Sequence, residues 1–370
     1  MLGHKVRLVT ELSCDGPNTF LHPHGRVPLI VELLVNIADE IDHQRIAHTP
    51  QVGALQQLVG HVPRAGALGK TAQAAARRAV KEHQPDIPTL LLRLPALGQA
   101  ADTVRYADYS LNSSLETLKE LSGSATQAGK VHKAILMVDV GDLREGIWPE
   151  RVVPLVEQAA QLTGIELVGL GANLACYGGV IPSLENMQIL IRARDACRQV
   201  TGLPLDLLSG GNSSSLPLLA SGKMPKEINH FRIGEAIILG RNVLDRSPWH
   251  GTRQDTVRVV AEVIELEVKP SIPIGETGQD AFGNEPEFVD RGLRKRALLN
   301  LGRQDVVIEG LEPIDPGILV LGGSSDHLVL DVSDAQTPLH LGDEVAFYPG
   351  YGATLAAATS DYVEKTVITE

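Results

Sequence analysis

The segment Ala134–Leu170, AILMVDVGDLREGIWPERVVPLVEQAAQLTGIELVGL, decides the fold. Ala134-Ile-Leu-Met-Val138 is an uninterrupted apolar run of strand length, and Glu166-Leu-Val-Gly-Leu170 is the next strand candidate. Between them, Pro149–Leu162 carries Val152, Val153, Leu155, Val156 and Ala159 on one side of a helical wheel. A strand covered on both faces reads as a continuous apolar run, and the helix that covers it repeats every 3.6 residues; alternation of the two is a βα unit of a parallel sheet. The pattern continues in both directions. Upstream, Leu90-Leu-Leu-Arg-Leu94 is a short apolar run, and a weaker one lies between Asp102–Tyr106 and Ser114–Leu121. Downstream, Leu184–Val200 reads as a helix and Leu205–Leu208 as a strand. Successive units with polar or glycine-rich residues just past the strands predict an α/β fold of the (β/α)8-barrel type, its site at the C-terminal strand face. An open doubly wound sheet is the alternative.

Near residue 255 the pattern changes. Val257–Val268 alternates and is β-branched, and Ala297–Leu301, Ile318–Leu321, His327–Val332 and Glu344–Tyr348 are short strands separated by Pro, Gly and Asp turns, with no long helical period. The 370 residues suit two domains. The boundary falls around Asn242–Thr252, giving an α/β barrel over 1–250 and a C-terminal β domain over 255–370. The first 85 residues are atypical. They hold seven of the twelve histidines, at 4, 22, 24, 43, 48, 61 and 83, in spacings that fit no HxxxH or HExxH arrangement, so no metal site is expected. Gly66-Ala-Leu-Gly-Lys-Thr71 lacks the glycine a phosphate loop needs five residues before Gly69, where Arg64 stands, and reads as a surface turn.

The composition, 43% apolar and 21% charged, is that of a globular protein, and the net charge of −12 argues against nucleic-acid binding. Three cysteines, Cys14, Cys176 and Cys197, make neither a disulfide framework nor a CxxC metal pair. No apolar run has the length of a membrane span and the N-terminus shows no signal-peptide core, so a cytoplasmic protein without membrane partners is expected.

Two loops carry the chemistry. Ser209-Gly-Gly-Asn-Ser-Ser-Ser215 follows one strand candidate and Arg232-Ile-Gly-Glu235 the next. Small residues let backbone N–H groups approach an anion, hydroxyls add donors, and the arginine adds charge, so a phosphorylated ligand is expected at this edge.

In order, Tyr109-Ser-Leu-Asn-Ser113, Met137-Val-Asp-Val-Gly-Asp-Leu-Arg-Glu-Gly146, Leu174-Ala-Cys-Tyr-Gly-Gly-Val-Ile-Pro182, Ser209–Leu216, Arg232–Glu235, Gln279-Asp-Ala-Phe-Gly283, Gly302-Arg-Gln-Asp305 and Ser324-Ser-Asp-His327 make the chain, from Leu90 onward, resemble the alanine racemase-like pyridoxal-phosphate (PLP) enzymes, especially their ornithine racemase branch. The resemblance implies a PLP-binding barrel followed by a β domain, a homodimer in which that domain completes the partner's site, and racemisation of a free amino acid, ornithine among the candidates. By position, Asn212 and Ser213 with the backbone of Ser209, Gly210, Gly211 and Gly234 would hold the PLP phosphate. Arg232 would face the pyridine nitrogen, leaving it unprotonated because a guanidinium does not give up its proton. Asn173 falls where relatives place a histidine against the cofactor ring, and Arg144 would bind the substrate carboxylate or steady a cofactor oxygen.

Two family features differ. Members carry the cofactor lysine early, in a Gly-Val-Thr-Lys-like motif, whereas before Leu90 this chain has only Lys5, Lys70 and Lys81. Lys70 is the candidate if the N-terminal region has been rebuilt. The other readings are a stretch translated out of frame up to about Lys81, which the histidine bias favours, and a lysine-free relative. A tyrosine of the β domain serves relatives as second base; Arg303 stands at that position here, leaving Asp280, Asp305 and His327 as candidates. Asp139 reads equally as a helix cap and Cys176 as a small buried residue. Tyr351 and His327 read as turn and strand residues. The leading reading is thus a PLP-dependent racemase. A non-catalytic PLP-binding protein is the second, and a phosphosugar or nucleotide barrel enzyme the third.

Overall fold

The computed structural model describes residues 6–12 and 88–369. They fall into two compact units, one holding 88–253 and the other 6–12 with 254–369.

The first unit is a six-stranded sheet in which chain order and spatial order coincide. Its strands are β2 (Leu90–Leu91), β3 (Tyr109–Asn112), β4 (His132–Met137), β5 (Ile165–Gly171), β6 (Leu207–Asn212) and β7 (His230–Arg232), and every neighbouring pair is parallel. Helices α1 (Ala100–Tyr106), α2 (Leu115–Gln127), α3 (Val152–Ala159), α4 (Leu184–Thr201) and α5 (Leu216–Ala220) make the crossovers, and α6 (Glu235–Leu239) follows β7. This is the arc of a βα barrel, in the strand order expected from sequence. Local signals set the helix ends. The hydroxyls of Ser114 and Ser183 cap α2 and α4 by accepting from Thr117 N and Asn186 N, and α4 stops where Gly202 turns left-handed at φ 70°. Two apolar layers sandwich the sheet. Leu111, Ile135 and Met137 pack with Val168 and Leu207 on one face. Leu136, Val138 and Leu170 pack with Val152, Val156, Met187 and Leu190 of the helices on the other.

Sequence and structure differ at β6. The strand begins two residues later than the apolar run, because Leu205 has φ 40°, and it continues through Ser209-Gly-Gly-Asn212. The glycines lie inside the strand end, so the backbone itself forms the site edge.

The second unit is an antiparallel sheet built on the 14-residue β8 (Val257–Pro270). Val257, Val259, Ala261 and Val263 alternate inward on its first half. That half pairs with β13 (Glu344–Pro349), which pairs with β10 (Leu311–Pro313). The second half pairs with β9 (Leu293–Leu299), followed by β12 (Leu328–Asp331) and β11 (Leu319–Gly323). Two strands lie off this path: β1 (Arg7–Leu12) runs antiparallel to β8 and parallel to β14 (Glu364–Thr369). The head of the chain, assigned by sequence to the barrel, thus contributes a strand to this sheet. Helix α7 (Tyr351–Thr359) is a short helix in this unit, and it corrects one reading: Tyr351 opens it rather than lying in a β-turn.

Candidate active site

The chemistry-bearing residues of the first unit collect at the C-terminal ends of β4 to β7. After β4, the excursion 139–146 is closed at its base, where Ile147 N donates to Met137 O (2.8 Å) and Asp139 N to Ile147 O (3.0 Å). Asp139 does not cap the next helix; its Oδ1 accepts from Gly141 N and Leu143 N inside the loop. Gly146, at φ 136°, lies against the loop's base, and a Cβ there would stand 2.4 Å from Asp139 N. Asp142 is 1% exposed and binds the next loop, accepting from Cys176 N (3.2 Å), Tyr177 N (3.0 Å) and Val180 N (3.1 Å).

The tied loops meet side chains from β6 and β7. Arg144 forms a two-pronged ion pair with Glu145 and donates from Nη1 to Cys176 Sγ (2.9 Å). Asn212 Nδ2 lies 3.9 Å from the same sulfur and donates to Leu174 O (2.9 Å) and Asn173 Oδ1 (3.1 Å). Arg232, 5% exposed, donates from Nη2 to Ala172 O (2.7 Å) and Asn173 Oδ1 (3.3 Å). One line of contacts therefore runs Glu145–Arg144–Cys176–Asn212–Asn173–Arg232 across four strand ends. Cys176 corrects its sequence reading: it is exposed and has a guanidinium neighbour. Cys197 is buried, and burial pushes its thiol up to about 11.

The Ser-rich loop is braced from within. Asn212 Oδ1 accepts from Ser214 N (2.7 Å), Ser215 Oγ donates to Gly210 O (2.6 Å), and Ser213 Oγ accepts from Gly234 N (3.2 Å) and Ala236 N (3.3 Å). Gly211 takes φ 106°, and a Cβ on it would stand 2.8 Å from Ser215 Oγ. Ser209 lies deeper, fully buried, its hydroxyl 2.9 Å from His230 Nδ1. Burial, and secondarily the charge of Arg232, push His230 down to about 4, so this imidazole is neutral. Glu235 pairs with Arg246; burial raises its carboxyl pKa against the pull of that cation.

The other candidates lie elsewhere. Asp305 is in the second unit, 2% exposed, its Oδ2 accepting from Gly302 N (2.9 Å) in the turn that opens Gly302–Asp305. Asp280 Oδ1 accepts from Phe282 N and Asn284 N, and His327 faces Asp326. Arg303 stacks on Phe282 (5.0 Å) and pairs with Glu309 (2.7 Å), bringing two of the quoted motifs together. Lys70 and the seven N-terminal histidines lie outside the described residues. Among the described residues, no group of three or more His, Cys, Asp or Glu could hold a metal ion. No helix among them is long and apolar enough to cross a membrane. A cavity of about 360 Å³, lined by Tyr106, Tyr109, Lys130, His132 and Lys133, opens at the opposite, N-terminal edge of the sheet.

Glu145 and Asp142 were not singled out in the sequence. Their signal was the density of acids in Asp139-Val-Gly-Asp-Leu-Arg-Glu145, but the partners of Asp142 lie more than thirty positions away.

Comparison with known proteins agrees with this layout. The profile of the "Alanine racemase, N-terminal domain" family matches residues 36–242, beginning upstream of Leu90, from which the resemblance runs, and of the first quoted motif at Tyr109. An ornithine racemase of Acetoanaerobium sticklandii is 45% identical over 280 residues, 75% of this chain and 79% of that one. A lysine racemase of Thermotoga maritima is 42% identical over 278 residues, 75% and 77% of the two chains. A solved alanine racemase from Bartonella henselae, with covalently bound pyridoxal phosphate, superposes with TM-score 0.59 at 14% identity, covering 99% of this chain and 100% of that one; at this identity the likeness is one of fold. The chain belongs to the alanine racemase family.

Proposed function

We propose that this protein is a PLP-dependent racemase of a free basic amino acid, ornithine or lysine, working as a cytoplasmic homodimer. The observation that carries the reading is the line of contacts linking Arg144, Asn173, Asn212 and Arg232 across four strand ends, in a chain whose 45% and 42% identical relatives racemise ornithine and lysine.

The residues present suit PLP. The amide oxygen of Asn173 is occupied by two donors, whereas its Nδ2 is buried without a partner, which costs about 1–3 kcal/mol until a ligand supplies an acceptor. Ser213 Oγ accepts two backbone N–H groups, so its own proton is available to an anion. Asn212, Ser213 and the backbone of Gly210, Gly211 and Gly234 would hold the phosphate, and Arg232 would lie toward the ring nitrogen. When bound, PLP supplies an electron sink that lowers the cost of removing the α-proton.

The chain's own residues set the conditions for that proton transfer. Arg232 remains charged and would keep a proton off a ring nitrogen placed beside it. Neutral His230 beneath it adds no second cation. Arg144 would take the substrate carboxylate through its planar fork, fixing the α-carbon's orientation. Proton removal from one face and return to the other requires two bases. Lys70 is the sequence candidate for one and Asp305 for the other.

A non-catalytic PLP-binding protein remains the second reading, because among the described residues no lysine stands at the C-terminal edge of β2–β7. One experiment separates the two: absorbance titration with PLP, borohydride reduction with peptide mapping, and chiral chromatography of L-ornithine and L-lysine incubations. The racemase reading expects saturable binding, one labelled lysine and appearance of the D-enantiomer. Binding without label or turnover selects the second reading, and failure to bind PLP removes both.

A further inference from the structure

Glu145 has no part in the chemistry above, yet it is held with care. The residue before the Arg144–Glu145 pair, Leu143, sits at φ 57°, and the residue after it, Gly146, at φ 136°, both in the left-handed half of backbone space. A leucine there is strained, and such strain persists where surrounding structure enforces it. The enforcement is visible in the bridge between Val138 and Ile147, the amides on Asp139, and the tie from Asp142 to the next loop. Asp139 and Asp142 are thereby committed to backbone amides. Glu145 is the remaining carboxylate of the loop, its side chain 11% exposed, and it answers both Nε and Nη2 of Arg144.

That two-pronged contact is the one an amino-acid carboxylate would need from Arg144. A substrate carboxylate taking the guanidinium displaces that of Glu145 and leaves an anion whose side chain is 11% exposed without its partner, which is a penalty. A substrate with an apolar side chain leaves the penalty standing. A diamino acid whose α-amine is engaged at the reacting centre still presents a carboxylate and a terminal ammonium, the same two charges as the ion pair it opens. We propose that Glu145 is a specificity-determining residue that receives the terminal ammonium of a basic amino-acid substrate as Arg144 receives its carboxylate. This rests on the racemase reading above and names the feature of the site that would select ornithine or lysine over alanine.

The test compares L-ornithine with L-norvaline, its analogue without the terminal amine, on the PLP-loaded protein and on Glu145→Gln. Glutamine keeps an acceptor for Arg144 but carries no charge, and a thermal midpoint within a few degrees of the parent establishes that the variant is folded. The ornithine-to-norvaline ratio of kcat/KM is expected to fall about 10- to 100-fold, mostly through KM for ornithine, the range of a hydrogen bond to a charged group. An unmoved ratio, whether both substrates lose equally or neither does, overturns the inference and leaves the racemase reading intact. A parent protein that turns over neither substrate overturns the racemase reading, and this inference falls with it.

Discussion

Removing the carboxylate of Asp142 should destabilise the first unit. This carboxylate, 1% exposed, accepts from three backbone amides of the loop after β5, at 3.0 to 3.2 Å. Hydrogen bonds to a charged acceptor contribute about 1.5–3 kcal/mol each, but the three share one carboxylate, and Cys176 and Tyr177 are exposed enough for water to reach their amides once the loops part. Each bond is therefore worth less than that range, about 1 kcal/mol, the value of an ordinary hydrogen bond. Asp142→Ala should therefore destabilise by about 3 kcal/mol, and Asp142→Asn, which keeps an acceptor but not the charge, by about half that. In a unit of this size about 3 kcal/mol lowers the thermal midpoint by roughly 6–12 °C. Calorimetry of the parent and both variants, with PLP absent so that ligand linkage does not enter, measures it. A midpoint for Asp142→Ala within about 2 °C of the parent would show that the loops are held by something else.

Asn173→Ala should weaken PLP binding about 10-fold or more, read by absorbance titration, since it removes a buried donor and the oxygen that steadies Arg232 and Asn212. Gly146→Ala should cost several kcal/mol in urea unfolding, because its Cβ would stand 2.4 Å from a backbone nitrogen at φ 136°; an unchanged midpoint would mean the loop yields freely. His132 and His230 both titrate at about 4, lowered chiefly by burial, against about 6.5 when unfolded. Between those values the unfolded chain binds more protons, so stability falls as pH drops from about 6.5 toward 4; replacing either histidine by Gln should flatten the slope of stability against pH in that window. In a Cys14→Ser background, iodoacetamide should label Cys176 well ahead of Cys197, whose thiol burial holds at about 11; equal rates by mass spectrometry would contradict the packing.

The strands legible in the sequence were those whose apolar runs end abruptly. Ala134–Val138 is buried throughout and ends at Asp139, and the buried Leu167 and Leu170 of the second strand precede Gly171, so composition marks both. β6 was misread because Ser, Gly and Asn are poor strand formers, and only the neighbouring strands hold Ser209–Asn212 extended. α7 escaped because Tyr351-Gly-Ala-Thr-Leu-Ala-Ala-Ala-Thr359 has almost no polar face to give it a period, while Ala353, Thr354, Ala357 and Ala358 bury its inner side. At the site, motif order brought forward Arg144, Asn173, Asn212 and Arg232. The environment of Cys176 could not be read, since its basic neighbour lies 32 positions away and arrives only through the fold.

The pairing of β1 with β8 and β14 has a consequence in time. Arg7 leaves the ribosome early, yet the partner of its side chain, Glu344, comes 337 positions later, and β14 is made after that. The backbone partner on β8, Val257–Val260, is itself about 250 positions away, so at ordinary elongation rates this strand waits roughly 12–50 s with its backbone unpaired. Whatever shelters a nascent strand for that interval, a chaperone or a transient non-native partner, therefore influences the yield of folded protein, and a copy beginning after Leu12 would leave Val257–Val260 of β8 as an open edge for a neighbouring molecule to join.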